Sequence, residues 1–207
     1  MKKMNKKFLL ILSLIAFSYA TKAQIRFGIK GGGNLANGSV TIRGTSTDSK
    51  PVISFHVGAV LEAQLADRLY LEPNLLFSRK GASIDMTSTI SQKVTYSYLE
   101  LPVNVVYEVI DYLTIGGGPY LGYALGGKTT ITDKTNNLEV SQDIKVEEGG
   151  MKRLDYGLNF TAGYEIIDGL TISANYSLGL VNIVDNNSST TKNNVIGISV
   201  TKFFGAR

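Results

Sequence analysis

The sequence predicts an all-β fold, namely an eight-stranded, antiparallel, up-and-down transmembrane β-barrel. Segments of alternating apolar and polar residues recur along the chain, and an alternation of period two is typical of strands with one apolar face. The connections between these segments are alternately long and short, which is typical of barrels with turns at one end and loops at the other. No mature segment approaches the ~18 consecutive apolar residues of a transmembrane helix. Crossing a membrane would therefore require a closed barrel.

Residues 1–23 have the composition of a secretory signal peptide. Four early lysines form a basic region, and Phe8 to Ala20 is an apolar stretch too short to span a bilayer. Cleavage is predicted after Ala23, with Ala20 as a competing site. Residues 24–207 would then form the barrel domain of an exported protein.

The charge of the mature chain is close to zero. The whole sequence has 21 basic and 17 acidic residues, but five of the lysines lie in the predicted signal peptide. The remaining 16 basic and 17 acidic residues give a charge of about −1, so the basic composition of the whole sequence predicts no nucleic-acid partner. The sequence has no cysteine, which excludes disulfides and a cysteine-linked lipid anchor.

The strands are placed by their alternation and by the turn residues between them. Each predicted strand has roughly nine to twelve residues, the length that a tilted strand needs to cross a bilayer. The predicted strands begin at Gln24, Val52, Leu69, Tyr98, Tyr112, Leu154, Leu170 and Val195. Polar loops are predicted over 36–51, 81–93, 128–152 and 185–194, with short turns at Asp67, Asp111 and Asp168. The segment 128–152 either extends a hairpin beyond the barrel or is mobile.

The strand that starts at Tyr98 shows which way the apolar face points. Its leucines and valines at odd positions alternate with Glu100 and Asn104. In a soluble barrel the apolar residues fill the interior. Here the second face of the strands carries Gly, Ser, Thr, Asn and ionisable residues, which do not form a hydrophobic core. The apolar face is therefore predicted to meet lipid and the polar face to line the lumen.

Outward aromatic residues are predicted to form two girdles, as at the two lipid–water interfaces of membrane barrels. A general preference of strands for aromatic residues is the alternative, but it does not predict two separate levels. The girdle at the turn side would contain Phe27, Tyr107, Tyr164 and Phe204, and that at the loop side Phe55, Phe77, Tyr123 and Tyr156.

Ionisable residues are predicted to point into the lumen. Either they form an ion path or ligand site, or they form a paired network that fills the interior. Eight strands enclose little more than their own side chains and buried charges need partners, so the paired network is favoured over a wide pore. The residues concerned are Arg26, Lys30, Glu62, Glu72, Glu100, Asp155 and Glu165.

Three prolines lie inside predicted strands, although proline cannot donate a hydrogen bond to a strand ladder. Counting from the turns places Pro73, Pro102 and Pro119 side by side on neighbouring strands. This arrangement predicts a weakened or bulged patch of wall.

Five short strings along the chain are typical of one family of barrels. They are Phe77-Ser78-Arg79-Lys80-Gly81, Tyr98-Leu99-Glu100-Leu101-Pro102, Gly118-Pro119-Tyr120-Leu121-Gly122-Tyr123, Leu154-Asp155-Tyr156-Gly157-Leu158 and Ala162-Gly163-Tyr164-Glu165. Together they resemble the PorT-like "porin family" of outer-membrane β-barrels in Bacteroidota. The resemblance implies an OmpA/OmpX-like barrel in the outer membrane, with Phe204 as the terminal aromatic. One branch of that family is associated with type IX secretion, which implies a secretion-accessory role for that branch.

Three classes of function follow from these patterns. The first is a structural, interaction or secretion-accessory barrel without catalysis, and the second is a narrow channel for small solutes or ions. The third is a membrane-embedded lipid hydrolase that uses His56, the only histidine, with Ser54. A single histidine and no cysteine predict neither a metal site nor a cofactor. The expected partners are outer-membrane lipid or lipopolysaccharide and envelope or secretion-system proteins, and the barrel is expected to be monomeric.

Overall fold

The computed structural model describes residues 24–42, 45–47, 49–146, 151–184 and 189–205. The predicted signal peptide lies outside these residues. Ten antiparallel strands form one sheet. They are β1 (Ile25–Ile42), β2 (Thr45–Thr47), β3 (Lys50–Ala66), β4 (Leu69–Asp85), β5 (Ile90–Ile110), β6 (Leu113–Asp133), β7 (Leu138–Ile144), β8 (Leu154–Ile167), β9 (Leu170–Gly179) and β10 (Ser189–Phe204). The described residues include no helix that is long and apolar enough to cross a membrane.

Eight of the ten strands form a closed wall. Each strand of the wall pairs with the next along the chain, and β10 returns to pair with β1 from Phe27–Phe204 to Ile42–Ser189. The short strands β2 and β7 pair only with β1 and β6 in the described sheet and lie off this wall. The predicted antiparallel up-and-down barrel is therefore confirmed, with two further strands at its loop end.

The strands extend further than predicted at the loop end. Strands β5 and β6 have 21 residues each instead of nine to twelve. The loop predicted from residue 36 is wrong at its start, because β1 stays paired with β10 up to Ile42. Of the two possibilities for segment 128–152, the structure shows the hairpin, in which β7 pairs with β6 from Gly127–Ile144 to Asp133–Leu138.

The apolar and polar faces exchange sides along β5, which explains why the sequence predicts too short a strand. In the middle of the wall Leu101 is 45% exposed on the outside, whereas Glu100 is 7% exposed on the inside. Beyond Ser97 the outer positions are polar, as at Lys93, and the inner ones are apolar, as at Val94. An apolar exterior suits lipid and a polar exterior suits water, so the lipid boundary on β5 lies between Leu99 and Ser97.

The three strand prolines lie side by side, but the wall is not bulged there. Pro73 pairs with Val103, next to Pro102, which pairs with Tyr120, next to Pro119. Ladder pairs are missing between Pro73 and Leu76, yet the register is the same on both sides of the gap. Of the two predicted possibilities, the missing ladder pairs fit a weakened patch, and the unchanged register excludes a bulge.

Candidate functional site

A buried ion cluster closes the lumen at the turn end. The Arg26 guanidinium bonds Glu62 through Nε at 2.6 Å and Nη2 at 3.2 Å, and it bonds Glu165 through Nη2 at 3.0 Å. Its carbon Cζ lies 4.2 Å from the centre of the Phe203 ring. Bidentate arginine–carboxylate pairs of this kind are strong and fixed in geometry. We call Arg26, Glu62 and Glu165 the turn-side cluster.

A second ion cluster fills the lumen towards the loop end. Lys80, which is 1% exposed, forms ion pairs with Glu100 and with Asp155, the latter at 3.2 Å. Its ammonium also lies 4.4 Å from the centre of the Tyr120 ring, a cation–π distance. Asn193 donates to the Asp155 carboxylate at 2.9 Å. We call Lys80, Glu100 and Asp155 the loop-side cluster.

His56 lies between the two clusters and is bound on both ring nitrogens. Its Nδ1 is 2.8 Å from Asn34 Oδ1 and its Nε2 is 2.8 Å from Ser199 Oγ. Ser54, the partner considered from the sequence, instead donates to the carbonyl oxygen of Arg79 at 2.6 Å. The Ser54–His56 pair considered as an alternative is therefore not formed. The closed barrel places β10 beside β1, next to β3, and so brings Ser199 to His56.

The free space beside His56 is small. The cavity beside His56 measures about 30 Å³, which holds about two water molecules. Amide and hydroxyl groups, including those of Asn104 and Asn159, line it together with Lys80 and Glu100 of the loop-side cluster. Asn159 donates to Asn104 at 3.1 Å, which ties β8 to β5 over the intervening strand β6. A polar cavity of this size suits bound water and excludes a larger solute.

The seven ionisable residues predicted to face the lumen all lie on its inner face. Six are buried, and Glu72 is partly buried and interacts electrostatically with Lys30, Arg26 and Glu62. Lys80, the only cation of the loop-side cluster, is not among the residues predicted to face the lumen. The alternation of β4 contained the signal, because Ser78 lies inside the lumen and Lys80 is two positions further.

The aromatic residues predicted for the girdles lie on the outer face. At the turn end Phe27 stacks on Phe204 with ring centres 6.3 Å apart, and at the loop end Phe55 meets Phe77 at 6.0 Å. The remaining four are 43–50% exposed on the outside; they are Tyr107, Tyr123, Tyr156 and Tyr164. On β8 the eight steps from Tyr156 to Tyr164 correspond to about 26 Å along the strand, or roughly 20 Å in height at a strand tilt of about 40°, close to the apolar band of membrane barrels.

An apolar surface lies on the inner side of the strands that rise above the wall. Ile131, Leu138 and Val140 are 40%, 58% and 56% exposed on the β6–β7 hairpin. Their side of the hairpin continues the inner face of β5, because Ile131 pairs with Gln92 and Val140. We call Ile131, Leu138 and Val140 the mouth face. It is an exposed apolar surface beyond the lipid boundary, the kind of surface that marks an interaction site.

Local hydrogen bonds order the tip of this hairpin. Asp133 accepts from the Asn136 side chain at 2.8 Å and from the Thr135 backbone N–H at 2.9 Å. These bonds favour the carboxylate and hold the pKa of Asp133 below its ordinary value. Asn137 adopts φ of +51°, a left-handed conformation that Asn tolerates in turns. The mouth face is thus held on a defined turn.

No set of three or more potential metal ligands occurs among the described residues.

Comparison with known families identifies the class of this barrel. Residues 18–185 match the family model described as outer membrane protein beta-barrel domain. The chain belongs to this family. It is therefore an outer-membrane protein, and since long loops of such barrels are extracellular and short turns periplasmic, the mouth face points out of the cell. No curated protein matches the chain.

Solved outer-membrane barrels are similar in fold. Ail, the attachment invasion locus protein of Yersinia pestis, is 14% identical with a TM-score of 0.43, and the match covers 86% of this chain and 99% of Ail. Neisserial surface protein A is 10% identical with a TM-score of 0.47, covering 86% of this chain and 97% of that protein. OprG from Pseudomonas aeruginosa is 13% identical with a TM-score of 0.39, covering 87% and 96%.

Proposed function

We propose that this protein is a closed outer-membrane barrel that binds an envelope or secretion-system protein at its extracellular end, without conducting solutes and without catalysis. The observation that carries the proposal is the filled lumen. Two buried ion clusters occupy the lumen, and the cavity beside His56 measures only about 30 Å³, room for about two water molecules. The wall then serves as a rigid support for the strands above it.

The same closure argues against the lipid hydrolase. Ser199, His56 and Asn34 form a hydrogen-bonded series that resembles a nucleophile, a base and an orienting group. All three are at most 4% exposed inside the lumen, and the adjoining cavity is far smaller than the ~300 Å³ of a small ligand pocket. The space beside Ser199 is therefore too small for an acyl ester. We assign a structural role to the hydrogen-bonded series of Ser199, His56 and Asn34.

Conductance measurements test the closed lumen. Purified barrel in planar bilayers is expected to give no steps above the lipid background, and Glu100→Leu is expected to unfold at lower temperature while remaining silent. The reason is that Glu100 pairs with Lys80 inside a packed network rather than lining a path. Proteoliposomes of wild type and His56→Ala should both release no fatty acid. Steps that change with Glu100→Leu would establish the narrow channel instead, and turnover lost in His56→Ala would establish the hydrolase.

The mouth face is the proposed contact for the partner. Strand β7 pairs with β6 alone in the described sheet, so its outer edge is open for the addition of a strand, and its apolar residues add burial on binding. A secretion-accessory role, as the resemblance to the PorT-like family implies, is one form of this function. Its partner would then be a secretion-system component.

Variants of the two sides of β7 test this contact. Leu138→Ser with Val140→Ser is expected to abolish co-purification of a protein that crosslinks to the β7 edge in native envelopes, because it removes the exposed apolar side. The matched control, Glu139→Gln with Ser141→Ala, changes the opposite side of the same strand and should leave co-purification intact. Equal loss in both pairs, or in neither, would contradict binding at the mouth face.

A further inference from the structure

A second feature lies on the outer side of the wall, just above the loop-side girdle. It is a groove of about 370 Å³, within the ~300–1,000 Å³ range of ligand sites. Phe77 and Leu125 form its lower edge and Ser97 and Gly126 its floor. Leu125 is the extra residue of a β-bulge, since Ser97 pairs with Gly126 but Tyr98 pairs with Ala124. The bulge and the glycine together open the surface at this height.

Two cations border the groove. Arg79 on β4 and Lys128 on β6 lie on either side of β5. Their Cα atoms are two inter-strand spacings and two residues along the strand apart, or about 12 Å. Arg79 Nη2 reaches Thr95 Oγ1 only at 3.4 Å. The several coplanar donors of a guanidinium suit an anion with several oxygens.

The balance of charge at the groove is positive. Asp143 lies on the far rim, in register with Lys128, and offsets one of the two cations. Directly before β8, Arg153 lies over Tyr123, with Cζ 5.3 Å from the ring centre and Nη1 3.1 Å from the tyrosine oxygen. The cations thus follow the upper edge of the girdle. This is the level at which lipid headgroups meet the protein.

We propose that this groove binds the phosphorylated sugar headgroup of an outer-leaflet glycolipid, the chemistry of lipopolysaccharide. Arg79 and Lys128 would hold the phosphate. The lower edge of Phe77 and Leu125 would pack against the first atoms of the acyl chains, and the open floor would accommodate a sugar ring. Arg79 lies two residues above Phe77, about 7 Å along the strand. The phosphate would therefore lie at the depth of the lipid headgroups, and the acyl chains would begin below it at the level of Phe77.

The position of the groove makes the inference independent of the proposed partner contact. The groove lies on the outer side of β4, β5 and β6 and reaches the outer side of β7 at Asp143, whereas the mouth face lies on the inner side of β6 and β7. Variants of one site leave the other site intact. Failure of either proposal can therefore be recognised separately.

Lipid retention tests this inference. Mature barrel is reconstituted into phosphatidylcholine nanodiscs that contain lipid A or its dephosphorylated form, and lipid bound after extraction is counted by native mass spectrometry. Wild type is expected to retain lipid A and not the dephosphorylated form. Arg79→Gln with Lys128→Gln should lower retention by roughly tenfold or more, because charge-assisted hydrogen bonds are lost.

Two further variants keep the test specific. Gly126→Leu fills the groove without removing a cation, and since a Cβ there meets only Ile144 O at 3.9 Å, it should fold and lose retention. Lys202→Gln removes an outward lysine at the turn end and should retain lipid A as wild type does. Equal retention of the dephosphorylated lipid, or full retention in the Arg79 and Lys128 variant, would overturn the proposal. Complete displacement by inorganic phosphate alone would overturn the assignment to a lipid.

Discussion

Replacing Lys80 with methionine is expected to lower the free energy of unfolding by about 3–5 kcal/mol, the cost of breaking a buried ion network at one partner. The substitution keeps the length of the side chain but leaves Glu100 and Asp155 without their cation. Both carboxylates are at most 7% exposed, so water cannot replace the ammonium. Urea unfolding in detergent micelles, followed by circular dichroism and by gel mobility of the folded barrel, measures the loss.

A rescue variant separates charge from packing in this experiment. Adding Glu100→Gln and Asp155→Asn to Lys80→Met removes all three charges, and it is expected to recover most of the lost stability because neutral groups of similar volume can replace a buried ion network. Lys93→Met, on the exposed outer side of β5, should change stability by less than about 0.5 kcal/mol. No rescue by the triple variant would show that Lys80 acts through packing on Tyr98 and Tyr120 rather than through its charge.

The sequence predicted the membrane-embedded part of the wall well because lipid imposes a simple rule there. Each outward position needs an apolar side chain, so the alternation around Leu101 is regular and identifies both faces. Above the lipid boundary this rule no longer applies. The backbone still pairs from Ser97 to Ile90, but water accepts a polar exterior and the apolar signal moves to the inner side. The sequence therefore predicts loops for the segments that extend the strands at the loop end.

Contacts across the lumen were beyond prediction for a different reason. The alternation of one strand shows that a residue faces inward, but it does not show the height at which opposite strands meet. Lys80 reaches Asp155 across three intervening strand interfaces, and that meeting depends on the stagger of the closed barrel. Ser199 meets His56 for the same reason. Such pairs become evident only after the strands have been set in register.

Arg26 provides the second large expected effect. Arg26→Met should lower the free energy of unfolding by about 3–5 kcal/mol, because Glu62 and Glu165 would remain buried without a cation. Arg26→Lys keeps the charge but provides one ammonium in place of a planar fork, and we expect a loss of about 1–3 kcal/mol from the carboxylate oxygens left without donors. The same unfolding measurement applies to both variants.

The exposed pair of Arg68 and Asp111 supplies the control for this experiment. Arg68 Nη2 lies 3.0 Å from the Asp111 carboxylate, with side chains that are 42% and 78% exposed. Arg68→Lys should therefore cost at most about 1 kcal/mol. If Arg26→Lys lowers the free energy of unfolding no more than Arg68→Lys does, the stability of the turn-side cluster does not depend on the arginine fork. A larger loss for Arg26→Lys would show that the stability of the turn-side cluster depends on the geometry of the fork, because both lysine variants keep their charge and only the buried site requires several donors from one side chain.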